Sequence, residues 1–351
     1  MTFPVTRPAR RAILRNPLST TLSTTLRTTL RTTLGATLAL AGLATFGIST
    51  AHAQAFPSKS IRMVVPFAAG GPADVVAREL AQKLGQQLGQ TVVVENSGGG
   101  HGVPAMNAVG RAPADGHTVL MAASGNVTIQ PLTMRSSAEA MTKLVPVGLV
   151  SSSPHVFVIS AKLPVTTFSE FLAYAKANPG KVNIASAGTG GVAHLGMELM
   201  KSLSRTQIEH IPYKGTSQVM VDLTSGQVQG LFSSMPSLKS SIDKGTIRAL
   251  GLTAPSKAAD AANMPQLSAT LPGMEYTTWY GLYTTAGTPP AIVQTLNAEL
   301  RKALTDTALV AKLRDQGVDL IASSPEELEA RTRTDTAKWG KLIKDENLKL
   351  D

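Results

Sequence analysis

The sequence predicts an α/β protein made of two joined units with a ligand cleft at the seam. Three observations predict it. Apolar strand-like runs alternate with helical periodicity along residues 56–351. Two long extended stretches, 144–160 and 278–285, read as crossings between units. Glycine clusters follow three of the strand-like runs and stand where helices begin. Chain order then places a first domain at 56–150 and 276–351, with a second at 151–275.

Residues 1–53 are read apart from this body. They hold six Arg, no Lys and no acid; a 16-residue apolar run from Leu34 to Ser49 leads to a small-x-small site at Ala51-His52-Ala53. The run is shorter than the ~20 residues of a spanning helix. The pattern is that of a signal peptide cleaved near Ala53, which places the mature protein in the periplasm. The Ser/Thr/Arg-rich, acid-free front also admits an organelle transit peptide, and Arg10-Arg11, far from the apolar run, echoes a twin-arginine signal. Without the leader, 27 basic face 23 acidic side chains, so the pI of 9.8 belongs largely to the leader. Net charge then gives no reason to expect nucleic acid as a partner. The chain has no Cys, which excludes disulfides, thiolate metal sites and a cysteine nucleophile.

In the body, branched apolar residues at 61–67 make the first strand. Gly70, Gly71 and Pro72 open a helix with Asp74 in its first turn and Val76, Leu80, Leu84 and Leu88 along one face. Strands at 91–95 and 118–123 bracket the glycine run 98–102 and a short helix near 104–111, a βαβαβ rhythm that argues a parallel sheet. The apolar stretch 144–160 is broken at Ser151–Pro154. Thr167 and Glu170 form a capping box for the helix that follows. Strands at 182–186, 208–211, 228–232 and 247–253 then alternate with helices near 193–203, 216–225 and 236–244. Prolines 255, 265 and 272 mark a surface connection. The strand 278–285 returns to the first unit, and helices near 289–304, 308–316 and 324–343 close the chain.

No catalytic apparatus is visible. The six His show no metal-ligand spacing, and neither a nucleophile elbow nor a phosphate-loop lysine occurs. Two loose dinucleotide patterns, at Gly100–Ala105 and Gly188–Ala193, lack the acid that fingerprint wants. The repeated unit is instead strand, glycine loop, helix start: at Gly70-Gly71, at 98–102 and at 188–191. Such a turn leaves backbone N–H groups free at the positive end of a helix dipole, and glycine lets a ligand reach the backbone. Two of these ends facing across a cleft hold carboxylates without any arginine. Any one such loop taken singly is more often an ordinary βα turn than a binding loop. Asp74 reads either as a cap of its own helix or as a ligand or water contact, His194 as a support behind the contact layer, and Lys214 as solvent-facing.

Residues 61–74, Ala112–Leu120, His210–Gly215 and Leu282–Pro289 resemble the signature segments of the Bug family, the solute-binding proteins of tripartite tricarboxylate transporters. The likeness runs from Phe56 to Lys341. It implies a two-domain periplasmic-binding-protein fold (Venus-flytrap, type II-like) that captures small carboxylates and hands them to membrane permease subunits, as a monomer, with no cofactor and no metal. By the same resemblance the ligand is held at Phe67, Ala69, Gly70 and Asp74, at Ser124 and Gly125, and at Ser186, Gly188, Thr189, Gly190 and His194, with Tyr213 nearby and Ser233 on a later strand. Three departures from the family pattern stand out. Ser233 and Ser234 replace an acid and an amide, which argues against amino-acid ligands. Ser97 replaces an arginine of the glycine loop. Lys143-Leu144 stands where an Asp-Phe pair is expected. Two other readings stay open on sequence: an exported hydrolase using Asp74 or His194 as base, and a sensor subunit of a membrane receptor.

Overall fold

The computed structural model describes residues 56–350 apart from Lys214 and Ala259. The leader anticipated over 1–53, and Lys214, therefore lie outside the described residues.

The chain first lays down β1 (Ile61–Val65), α1 (Pro72–Leu88), β2 (Val92–Asn96), α2 (Val103–Gly110) and β3 (Thr118–Ala123). Proline at the first turn starts α1, its buried Val76, Leu80 and Leu84 lie one turn apart on the sheet-facing stripe, and Gly89 stops it in the left-handed region at φ 66°. β3 is buried at all six positions, as a central strand must be, while edge strand β2 alternates and leaves Val93 exposed. A π-helical turn (Gly125–Ile129), α3 (Gln130–Thr133) and α4 (Arg135–Met141) then lead into β4 (Leu144–Pro154). After His155, the same extended stretch enters a second sheet as β5 (Val156–Ser160).

The second sheet is completed by α5 (Phe168–Ala177), β6 (Val182–Ser186), α6 (Val192–Ser204), β7 (Ile208–Pro212), α7 (Thr216–Ser225), β8 (Gly230–Ser233), α8 (Met235–Asp243), β9 (Ile247–Leu252) and α9 (Leu267–Thr270). β10 (Thr277–Thr285) goes back to the first sheet, followed by α10 (Pro290–Leu304), α11 (Thr307–Arg314), β11 (Asp319–Leu320) and α12 (Pro325–Asp345). Strand orders are β11-β4-β10-β3-β1-β2 and β7-β6-β8-β5-β9.

Neither sheet is wholly parallel, contrary to the rhythm read from the sequence. β1, β2 and β3 run parallel, but β10 and β11 pair antiparallel with β4, and β5 pairs antiparallel with β8 and β9. The antiparallel strands are the crossings and their partners. Their direction is set by where the chain returns, which local periodicity does not record.

Each sheet is covered by apolar side chains on both faces. Phe157 stacks on Phe232 at 4.5 Å in the second core, where burying each such side chain contributes roughly 1.5–3 kcal/mol. The last helix belongs to both halves. Its Leu328 is buried against Gly281 of β10, whereas Trp339 and Leu342 join the core of the second sheet. Between those ends, Asp335 accepts a 2.6 Å bond from the Trp279 indole on β10.

The two crossings are stitched together where they pass. His155 donates its backbone N–H to Thr253 Oγ1 at 2.9 Å, and Thr253 donates that hydroxyl to the Tyr276 carbonyl at 2.7 Å. The His155 ring meets Thr278 Oγ1 at 2.9 Å from Nε2. The strands entering and leaving the second sheet thus share one buried junction under the cleft.

Candidate functional site

Loops at the strand ends of both sheets enclose a cleft of two chambers, about 490 and 570 Å³, which share His155, Ala187, Ala193, Thr278 and Tyr280. Both volumes suit a small-molecule ligand. The larger chamber is walled by the glycine loops: Phe67, Gly99, His101 and Gly102 with Gly125 on one side, and Gly188, Thr189, Gly190 and Gly191 on the other. The smaller contains Gly70, Val75, Phe232, Ser233 and Val318. No lysine, arginine, aspartate or glutamate stands among the described residues that line either chamber.

Helix starts supply the polarity. α1 and α6 begin at Gly71 and Gly191, neither of which offers a side-chain acceptor to the first-turn N–H groups. These donors and the dipole behind them point toward the chambers, a built-in attraction for an anion.

Of the residues singled out from sequence, Phe67, Gly70, Gly125, Gly188, Thr189, Gly190 and Ser233 line the cleft. Asp74, Ser124, Ser186 and His194 are buried behind it, and Ala69 is exposed outside the two linings. Tyr213, expected near the cleft, turns its hydroxyl to Asp222 Oδ2 at 2.6 Å on α7; burial and that bond push its pKa up to about 12.

The buried set grips the loops. Asp74 accepts Gly70 N–H at 2.9 Å on Oδ2, together with Arg78 Nε at 2.9 Å, and accepts Asn96 Nδ2 at 2.9 Å on Oδ1. Its carboxyl is drawn down to about 2, first by Arg78 and next by the Gly70 N–H. Asn96 also donates to the Phe67 carbonyl at 3.2 Å. Asn126 ties the second loop, accepting Ala123 N–H at 3.2 Å and donating to the His101 carbonyl at 2.9 Å, which holds His101 at φ 54°.

In the third loop Ser186 Oγ donates to the Gly188 carbonyl at 2.8 Å and meets His210 Nε2 at 2.7 Å, so that ring nitrogen carries the proton. His194 Nδ1 accepts Gly190 N–H at 3.0 Å, which assigns its proton to Nε2, 3.7 Å from Glu198. The two imidazoles stack at 3.7 Å with 13° between planes. Burial, followed by the His194 neighbour, pulls the His210 pKa down to about 4.

Sequence reasoning missed Asn126, Gln130, His155, Thr278 and Tyr280. The break before Pro154 is the one local signal that pointed at His155. Gln130 spans the cleft, its Nε2 donating to the Gly190 carbonyl at 3.2 Å. Burial alone brings the His155 pKa down to about 4, so at neutral pH the junction under the cleft carries no charge.

Two α/β halves, two crossings and a polar cleft between strand-end loops define a binding protein of the periplasmic solute-binding type. Residues 76–348 match the model of the tripartite tricarboxylate transporter family receptor, and the chain belongs to that family. BugT of Bordetella pertussis is 32% identical over 319 residues, covering 89% of this chain and 98% of its own. An R. palustris protein solved with adipate is 29% identical with a TM-score of 0.73, covering 82% of this chain and 97% of its own. MatC of Rhodopseudomonas palustris, solved with bound malate, is 28% identical with a TM-score of 0.70, covering 82% and 100%. Among the described residues no helix is long and apolar enough to cross a membrane.

Proposed function

We propose that the protein is exported to the periplasm, where it captures a small organic carboxylate and delivers it to the permease subunits of a tripartite tricarboxylate-type transporter, with no chemistry of its own. One observation carries this reading: a cleft walled by glycine loops and two uncapped helix starts, without a cationic or acidic side chain in its lining. An anion there is stabilised by charge-assisted hydrogen bonds of roughly 1.5–3 kcal/mol each. The carboxylates held by adipate- and malate-bound relatives support the same class.

In this reading Phe67, Gly70, Gly125, Gly188, Thr189, Gly190 and Ser233 touch the ligand. Asp74, Ser186 and His194 hold the backbone that does, while Ser124 Oγ accepts Trp279 N–H at 3.4 Å on β10. The walls of the cleft correspond to 56–150 with 276–351, and to 151–275. Thermal denaturation against a panel of mono-, di- and tricarboxylates tests the function. A ligand at a hundred times its Kd raises folded-state stability by about 2.7 kcal/mol. A panel in which no acid raises the melting temperature refutes it.

A further inference from the structure

The smaller chamber has a character the glycine loops do not share. Val75 and Val76 of α1 face Phe232, and Val318 and the Tyr280 ring close the space between them. The serines at the start of α8 are already engaged with one another: Ser237 Oγ donates to the Ser234 carbonyl at 2.7 Å and pairs with Ser233 Oγ at 2.9 Å. An anion placed there would have to disrupt those bonds and would find no cation.

The space is also not a gap left by parted halves. On this edge Lys257 N–H donates to Asp319 Oδ2 at 3.3 Å, joining the loop after β9 to β11, and a Cβ on Gly317 would lie 3.4 Å from Pro236. On the opposite edge the Gln130–Gly190 bond joins the halves. About 490 Å³ therefore remains beside the glycine-loop chamber while both flanks touch.

We propose that this chamber takes the apolar body of the ligand, so that the preferred ligands are carboxylates with one anionic end and an aromatic or medium-chain hydrocarbon body, rather than compact hydroxy-di- or tricarboxylates. The inference rests on the carboxylate-capture reading above and adds the class of acid to it. The carboxylate sits at the glycine loops, and the body passes His155 and Tyr280 into the space lined by Val75, Phe232 and Val318. Beyond Gly70 and the start of α1, the chamber offers a second or third carboxylate mostly apolar walls and no cationic side chain, at a cost that grows with each charge.

Titration calorimetry over the straight-chain acids from four to eight carbons, benzoate, succinate and citrate tests this, with the parent protein and the fillers Val75→Phe and Val318→Phe. Each methylene buried in the chamber raises affinity about fourfold. Octanoate and benzoate are expected to bind at least tenfold more tightly than succinate or citrate. Each filler is expected to weaken octanoate at least tenfold and to leave succinate within twofold, which also reports that the variant is folded. Succinate or citrate binding more tightly than octanoate and benzoate overturns the proposal while leaving carboxylate capture standing. Fillers that weaken succinate and octanoate alike overturn it too. No heat from any acid sinks both readings together.

Discussion

Replacing Asp74 by asparagine removes one charge and leaves the shape of the side chain. The carboxylate now holds Gly70 N–H, Arg78 and Asn96 at 2.9 Å each. Arg78 is half exposed and Gly70 is exposed, so both regain water when the charge is lost, and the cost is nearer one charge-assisted bond than three. That is about 2 kcal/mol. The depression of the carboxyl from 3.8 to about 2 gives about the same figure, at 1.36 kcal/mol per unit. Because the folded pKa lies below the unfolded one, this stability is fully present above pH ~4 and fades as pH falls through about 2. Urea unfolding of parent and Asp74→Asn should therefore differ by about 2 kcal/mol at pH 7 and converge toward pH 2. The freed Gly70 loop must also be ordered by the ligand. At about 1–2 kcal/mol for one residue, affinity should drop roughly five- to thirtyfold. Parallel stability curves across that pH range, with affinity unchanged, would refute the assignment of Asp74 as the anchor of this loop.

Two further outcomes follow from the same geometry. The folded pKa values of His155 and His210 lie at about 4, below the 6.5 of an unfolded histidine, so the unfolded chain binds protons that the native one refuses. Stability should fall as pH drops from about 6.5 to 4 and level off beneath it, and His210→Asn should remove part of that slope in thermal melts; an unaltered slope contradicts the buried-neutral assignment. Gly98→Ala would set a Cβ 3.0 Å from Ala68 N and 3.3 Å from Phe67 C, both backbone atoms that cannot rotate away. We expect roughly 1–3 kcal/mol of strain at the first loop, lowering carboxylate affinity while circular dichroism stays native; full affinity in the variant would show that the two loops do not brace each other.

Much of this architecture could be read locally. Apolar strand runs, proline at helix starts, the capping boxes at Thr167 and Ser324 and the glycine turns all act within a few residues, and the structure places elements on them. What escaped depends on distant partners. His155 gains its role only from Thr253 and Thr278, 98 and 123 residues away. The π-helical turn after β3 buries Asn126 and Thr128, polar residues that give no apolar period to follow. Tyr213 sits in a segment resembling the family signature, yet its hydroxyl is drawn off by Asp222, nine residues on. Ser186 and His194 were singled out by the family resemblance; position in the first turn of its helix already marked His194 as a support, whereas nothing local marked Ser186 as holding the loop.

On the proposed function, the distinction between touching the ligand and supporting its loop lets a cleft without lysine or arginine hold an anion. A backbone N–H attracts an anion only if it is held in place before the anion arrives; otherwise binding must also order the loop. Glycine permits the close approach and, by the same freedom, makes the loop costly to order. Here each glycine loop is fixed by a buried polar side chain from its own half: Asp74 at Gly70, Asn126 at His101, Ser186 at Gly188 and His194 at Gly190. The anchors spend their hydrogen bonds on the loops, so in that reading they shape binding without touching the ligand. Gln130 then couples the halves by bonding to Gly190, whose N–H is the one His194 holds. Closure and loop order thus meet at a single residue, and loosening either His194 or Gln130 disturbs one of the two peptide groups that flank the Gly190 Cα.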